Sequence, residues 1–478
     1  MMFYIKRIDL FNYFIFIIIF VNMTFASKLI SISDPSLLFI KKDFSLNHDL
    51  SVYANQNPFE IENTKLYNFN SLTSDVSIRL LPSISMLNRI PDLRLQGYIT
   101  CGWENLSLLI EPVIVHKNYG ESLLGSDFTR YNISGNITNA FIRYKMKNIV
   151  LHLGRSPVWW GQSWETSIIQ SGKFPSYDHF DLKLNLGSIQ IEMLMGQLSS
   201  DSWENNNRIK RYIAGHKVIW LPKHKKWIIG FGEQIIYTGE NRGIEFHYFN
   251  PVLSYIPSLL NESTNTGLPG SDNDNIILFA FGRYNLQPNS SIYSELIIDE
   301  FQVDKSSSIP HSLGLKLGFD GSFNHLNSLL IYTLEYNKID SWTYIHPGQF
   351  TSWENRQFPI GYFYGPDCWS ILLLLDYWIR DDILFSLETT YLEKGYNSVL
   401  SKYNASDTRD DPFPTSPVTI YSFNKYSVTW NSKHIAYEIG WSNIPISSRK
   451  FLSSKPYFSD GSFFLKVQLV YDIGFDLN

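Results

Sequence analysis

The chain has 478 residues, of which 16% are aromatic and only 18% charged, and a formal net charge of −5 at pH 7. With no basic field to attract phosphates, this composition excludes a nucleic-acid partner. Its 33 Phe, 29 Tyr and 13 Trp suit the aromatic girdles of membrane barrels and the flat apolar faces of sugar-binding sites.

Residues 1–26 read as a Sec signal peptide. Lys6 and Arg7 form a basic n-region, residues 14–21 an apolar core, and Thr24-Phe25-Ala26 a small-x-small cleavage site before Ser27. The alternative is an uncleaved helix over residues 10–25, which approaches spanning length. Removal of the leader leaves a net charge of −6. No later stretch offers a helical span, since the apolar run 371–375 is short and closed by Asp376. A membrane protein built from this chain must therefore be a closed barrel. Residues 27–75 are polar and aperiodic, with Asp34-Pro35 as a helix start, a short helix predicted over 37–44 and a break at 55–58. They are expected to form an N-terminal periplasmic segment against the barrel mouth.

From residue 76 to residue 478 the pattern has a period of two. It runs through Leu106, Leu108, Ile110 and Ile114, then Ile189, Ile191, Met193 and Met195. It recurs in Leu313, Leu315, Leu317 and Phe319, which alternate with Gly314, Lys316, Gly318 and Asp320. Ile383, Phe385, Leu387 and Tyr391 repeat it, as do Ile435, Tyr437, Ile439 and Trp441. At the end Phe463, Leu465, Val467, Leu469, Tyr471, Ile473, Phe475 and Leu477 take the odd positions, while Lys466, Gln468 and Asp472 fall on even ones. Alternation over this length fits strands crossing a lipid layer at a tilt with one face to water. Clusters of Asn, Ser, Gly, Asp and Pro separate the runs. A soluble sandwich or propeller also alternates, but no fixed repeat period is visible. The fold class is thus all-β: a transmembrane antiparallel outer-membrane β-barrel behind a short N-terminal segment. Cys101 and Cys368 are spaced for neither a CxxC redox motif nor a zinc site, and are read as unpaired.

The central third carries the motifs. Gly154-Arg155-Ser156-Pro157-Val158-Trp159-Trp160-Gly161-Gln162 follows a strand, with Arg143 in the strand before it. Arg211 to His216, Gly232 to Tyr237, Tyr248-Phe249-Asn250-Pro251, Asp272 to Asn275, Glu295 to Gln302 and Gly365-Pro366-Asp367 follow in order. Together these residues resemble the Wzi-type capsule assembly proteins, from about residue 80 to the C-terminus. The resemblance implies a monomeric outer-membrane barrel of about eighteen strands. It also implies a lectin-like role, binding exported polysaccharide and helping to attach capsule to the cell surface. Some members carry a helical bundle in the periplasmic opening; the segment before Leu80 has no run of amphipathic helices. The chain also departs from the usual barrel ending, because Leu477 and Asn478 follow its last aromatic residue, Phe475.

The residues themselves suggest two sets of candidates. Arg143, Arg155, Arg211, Glu233, Glu295 and Asp299 can pair across a wide lumen and hold inward loops, with His216 bonded to a neighbouring carboxylate rather than to a metal. Trp159, Trp160, Gln162, Trp164 and Glu165 combine aromatic faces with hydroxyl-satisfying groups within seven residues, as polysaccharide binding requires. Trp160-Gly161 serves equally well in a tight inward turn. The acidic run at Asp272-Asn273-Asp274 lacks the Gly and distal Glu of a calcium loop, and no cofactor or metal is expected. No Gly-x-Ser-x-Gly elbow or His-Glu-x-x-His helix occurs, so catalytic residues are not assigned. The expected function is binding of capsular or other surface polysaccharide, with outer-membrane lipid as surroundings. The alternatives are a diffusion channel for sugars or other solutes and a surface hydrolase.

Overall fold

The structure, a computed structural model, describes residues 28–30, 34, 41–42, 59–61, 76–87, 90–102, 105–116, 130–163, 165–199, 203–204, 207–223, 226–239, 242–256, 274–287, 289–300, 311–325, 328–346, 350–402, 412–432, 434–445 and 461–475. The export segment, residues 1–26, lies outside the described residues, as does Trp164.

Eighteen antiparallel strands close into one barrel, counting the two halves of the first strand and of the last as one each. In chain order they are β1 (Val76–Leu80 with Ser83–Leu87), β2 (Ile90–Gly102), β3 (Leu106–His116), β4 (Ile133–Met146), β5 (Ile149–Ser156) and β6 (Tyr177–Leu186). Then come β7 (Ile189–Gln197), β8 (Lys210–Trp220), β9 (Trp227–Gly239), β10 (Asn275–Gln287), β11 (Ser290–Glu300) and β12 (Ser312–His325). The last six are β13 (Ser328–Ile339), β14 (Cys368–Trp378), β15 (Ile383–Lys394), β16 (Thr419–Asn431), β17 (Ile435–Ser442) and β18 (Ser462–Leu469 with Tyr471–Phe475). β18 pairs with β1 from Phe464↔Leu87 to Phe475↔Val76, which leaves no free edge. Pro82, which has no N–H to give a ladder, sits at the break in β1.

Apart from the tight β1–β2 hairpin, the connections at one rim are long, among them 157–176, 240–274, 340–367 and 395–418, and those at the other are short. In outer-membrane barrels the long loops face outward and the short turns face the periplasm. Alternation decides the faces of the wall. On β12, Leu317 and Phe319 are exposed while Lys316 and Asp320 are fully buried, so the apolar parity faces lipid and the charged parity faces the lumen. β18 behaves as its sequence predicts: Phe463, Leu465, Tyr471, Ile473 and Phe475 are exposed, and Gln468 is buried. Outward aromatics pair near both rims, Trp369 with Tyr391 at 5.3 Å between ring centres and Trp430 with Tyr437 at 5.3 Å, as girdles at two interfaces require.

The largest apolar core lies inside the barrel. Trp160, Ile168, Tyr344, Trp353, Phe358, Ile360 and Tyr362, all from loops, pack against inward residues of the wall such as Leu194, Ile213, Phe279, Ile297 and Phe423. Before the barrel, Asp34 accepts from Tyr98 at 2.7 Å and pairs with Arg79 at 2.9 Å. Lys41 and Lys42, both helical, pair with Asp376 and Asp381 near the short-turn end, each at 2.7 Å. These contacts tie Asp34, Lys41 and Lys42 to the barrel. Both cysteines are free.

Candidate functional site

Loop 157–176, between β5 and β6, turns into the lumen through a two-residue hairpin that pairs Trp160 with Gln170 and Trp159 with Ser171. Carboxylates on the opposite wall capture it. Glu295 on β11 accepts the backbone N–H of Gln162 at 2.6 Å and of Ile168 at 2.9 Å, and the Ser167 hydroxyl at 3.1 Å. Gly161 permits this approach, since a Cβ there would lie 2.7 Å from Glu295 Oε1. Glu335 on β13 accepts the hydroxyls of Ser163, Thr166 and Tyr293, and pairs with Lys316 at 3.0 Å. The Lys316 ammonium also donates to the Thr166 carbonyl at 2.7 Å. Arg283 grips Asp320 with both terminal nitrogens, at 2.8 and 2.6 Å, and donates to the Gln162 carbonyl at 2.9 Å. Arg283 and Lys316 are thus paired with carboxylates, Glu295 is met by backbone N–H and hydroxyl donors, and the whole set directs hydrogen bonds onto the loop.

Loop 340–367, between β13 and β14, enters beside it. Arg211 at the top of β8 pairs with Glu354 and donates to the carbonyls of Phe350 at 2.8 Å, Ser352 at 2.9 Å and Glu354 at 3.0 Å. Asp299 accepts the Tyr344 N–H at 2.6 Å. A small hairpin pairs Glu354–Asn355 with Phe358–Pro359, turning through Arg356 and Gln357 at φ of 54° and 68°. The two loops brace one another: Ser171 donates its N–H to Ile360 O at 2.9 Å, and Asn355 Nδ2 donates to Pro175 O at 2.7 Å. In the same loop, burial holds the pKa of His346 down at about 4, with Nδ1 3.1 Å from the Thr351 hydroxyl.

The described residues of the outer rim above β14–β16 are held in the same way. Asp367 accepts the N–H groups of Asn397 and Thr415, each at 2.9 Å, and the Ser341 hydroxyl at 2.9 Å. This holds residues 395–397 beside 413–415, where Tyr396 N–H reaches Thr415 O at 3.3 Å. The pair of segments presents two exposed aromatics, Tyr396 and Phe413, the latter with Lys338 Nζ 4.6 Å from its ring centre. Below the Tyr364–Phe423 stack, on the β14–β18 side, a cavity of about 280 Å³ remains. Its lining includes Lys41, Glu165, Asp376, Glu388, Lys425, Glu438 and Lys466.

The candidate residues divide accordingly. Arg211, Glu295 and Asp299 hydrogen-bond to the inward loops, and Arg143 is half-buried on β4, paired in register with His152. Arg155 departs from the expectation of a lumen residue. It shares the outward parity of Leu153 and forms a fork with Asp178, at 3.0 and 2.6 Å, at the outer rim. His216 and Glu233 also depart. They bond to one another at 3.1 Å as expected for a His–carboxylate pair, but on the outer wall. The proof is their register: their neighbours Lys217 and Glu192, paired at 3.1 Å, contact Trp160 inside the barrel, and consecutive strand residues face opposite ways.

Trp160 and Gln162 are each 1% exposed and cannot present a face to a polymer. Trp160 donates to Glu192 at 2.8 Å and lies under the Lys217 ammonium, so the tight-turn reading applies to it. Trp159 is half-buried and Glu165 lines the cavity. Arg283, Lys316, Asp320, Glu335 and Asp367 were not anticipated as site residues. For Arg283, Lys316, Asp320 and Glu335 the sequence signal was charge on the inward parity of strands, whereas Asp367 lies in a loop and had none. Among the described residues, no group of His, Cys, Asp and Glu could hold a metal ion.

The family model of the capsule assembly protein Wzi matches residues 94–431. No curated protein matches the chain. Among solved structures the chain is similar to Escherichia coli Wzi, described as an outer membrane protein involved in group 1 capsule assembly and a carbohydrate-binding β-barrel. The TM-score is 0.60 at 14% identity, over 94% of this chain and 100% of that one. Pseudomonas aeruginosa OccK2, solved with glucuronate, follows with a TM-score of 0.42 at 7% identity, over 84% of this chain and 98% of that one. OprD of the same organism has a TM-score of 0.41 at 8% identity, over 84% and 95%.

Proposed function

The chain belongs to the family of the capsule assembly protein Wzi, and on that premise we propose that it binds exported polysaccharide at the cell surface as a monomeric, closed barrel without catalysing a reaction. The observation that carries this reading is the pair of inward loops clamped by buried charges. A solute channel needs a free lumen, whereas Glu295, Arg283 and Arg211 hydrogen-bond to the backbone, and Glu335 to the hydroxyls, of loops that occupy it. The polymer contacts the outer rim, where Tyr396 and Phe413 offer ring faces on a backbone fixed by Asp367. Of the sequence-predicted platform, Trp159 is half-buried and Glu165 lines the lumen cavity.

Binding of polysaccharide extracted from the source cells to the purified, detergent-solubilised protein tests the reading. Saturable binding that weakens at least several-fold in Tyr396→Ala/Phe413→Ala, with the barrel still folded, is the expected result. Absence of binding by the parent protein would overturn it. The solute-channel alternative draws on the charged cavity beside β14–β18, and conductance separates the two.

A further inference from the structure

Loop 240–274 follows β9, and residues 242–256 and 274 of it are described. Its described part folds down over the outside of the wall formed by β7–β10. Tyr248 and Tyr255 pack on the outward residues Met195, Tyr212, Ala214, Ile235 and Tyr237, with Phe249 and Ile276 at the margin. The fold of this segment is tightly specified. Arg242 forks onto Glu245 at 2.7 and 2.9 Å and donates to Asp274 at 2.5 and 3.0 Å, while Tyr248 donates to Asp274 at 3.0 Å. Its inner face is fastened to the wall by Glu233, which accepts the Tyr255 N–H at 3.0 Å and the Ser254 hydroxyl at 3.2 Å. His216, edge-on to the Tyr255 ring at 4.7 Å, completes the contact.

This placement has two consequences. An ionisable pair that would face hydrocarbon, at severe cost, is instead covered and hydrogen-bonded. The segment meanwhile carries large exposed apolar side chains: Phe246 is 84% exposed and Val252 88%, with Ile244 exposed and Ile256 partly so. They continue the lipid-facing surface of β9, where Phe231, 63% exposed, and Ile229 lie on the same parity below Glu233. Trp220 and Trp227 mark the periplasmic edge of that surface. Glu233 lies six residues along the strand from Trp227, about 15 Å higher at an ordinary barrel tilt and strand rise, which sets the segment beside the outer leaflet.

We propose that residues 242–256 are a membrane-seated flap, whose Ile244, Phe246, Val252 and Ile256 insert among the acyl chains of outer-leaflet lipid while Glu233 and His216 hold its inner face to the barrel. The flap is a lipid-binding surface distinct from the polysaccharide-binding rim, and it stands whether or not the barrel binds a glycan. It widens the barrel's footprint in one leaflet at one sector of the wall and so fixes how the loops above it are tilted against the membrane.

Spin labels test the flap directly. Phe246→Cys and Val252→Cys, each made on Cys101→Ser with the buried Cys368 retained, are labelled in vesicles containing lipopolysaccharide. Collision with oxygen, which concentrates in lipid, is compared with collision with a water-soluble nickel chelate. Phe231→Cys supplies the lipid reference and Tyr396→Cys the aqueous one, and heat-modifiable migration confirms folding in each. Oxygen-dominated collision at both flap positions, matching Phe231→Cys, is the expected result. Nickel-dominated collision would make the segment an aqueous loop and overturn the proposal. Low collision with both reagents would do the same, by showing that protein, such as a second copy of this chain, covers the patch.

Discussion

Replacing Lys316 by Met asks whether ion pairing or apolar packing holds the inward loops. Lys316 and Glu335 are both fully buried, and among the described residues the ammonium hydrogen-bonds to Glu335 and to the Thr166 main chain and hydroxyl. Removing one member of such a pair leaves an uncompensated buried charge, at a cost of about 3–5 kcal/mol. The β12 ladder does not use that side chain, so the cost falls on docking of loop 157–176 rather than on closure of the barrel. At about 1.4 kcal/mol per factor of ten, undocking becomes about two to three and a half orders of magnitude more frequent. Hydrogen exchange of peptides covering residues 161–170 reads this directly, because Glu295 secures the Gln162 and Ile168 amides only when the loop is docked. Lys316→Met/Glu335→Gln, which removes both charges and keeps a hydrogen-bond acceptor, should recover part of the protection. If Lys316→Met exchanged within threefold of the parent, the pair would not be what holds the loop, and packing of Trp160 and Ile168 would be.

Leu334→Arg, at a position 46% exposed on the lipid face, should cost about 2–4 kcal/mol near the midplane, seen as lost heat-modifiable migration and lower outer-membrane yield; normal yield would refute the face assignment. Trp160→Ala should destabilise loop docking by about 3–5 kcal/mol, lowering the heat-modification midpoint, whereas Trp159→Ala should leave it unchanged. His346 has a folded pKa near 4, below its unfolded value of about 6.5. The unfolded loop therefore binds more protons between those values, and docking of loop 340–367 loses up to about 1.4 kcal/mol per pH unit as pH falls through that window. Hydrogen-exchange protection at the Trp353 amide, normalised for intrinsic rates, should fall over this range in the parent and stay level in His346→Gln.

The wall was legible from residues alone because its rule is local. On β18 the odd apolar and even polar positions landed on the two faces among the residues classed as exposed or buried, apart from Gly474, which is even yet exposed, and Val470, at the break in the strand, which packs inward with Leu81 and Tyr98. The same parity would have placed Arg155 outside beside Leu151 and Leu153, and Glu233 outside beside Ile229 and Phe231. A lone carboxylate on the apolar parity was the signal that something must cover it. The inward loops were not legible, because their fate depends on partners far away in sequence. Ser163 meets Glu335 and Arg211 meets Glu354 across more than 140 residues, and a Trp-Trp-Gly run looks alike as a sugar platform and as a buried turn. Tyr396 and Phe413 become neighbours only through Asp367, whose role depends on the closure of the loop around it.

Single-channel conductance of the purified protein in a planar bilayer tests the central claim most directly. A barrel whose lumen is filled by loops 157–176 and 340–367 should insert without steady current steps while still binding polysaccharide from the source cells. Stable, ion-conducting steps that added sugar blocks would contradict it and make the chain a solute channel.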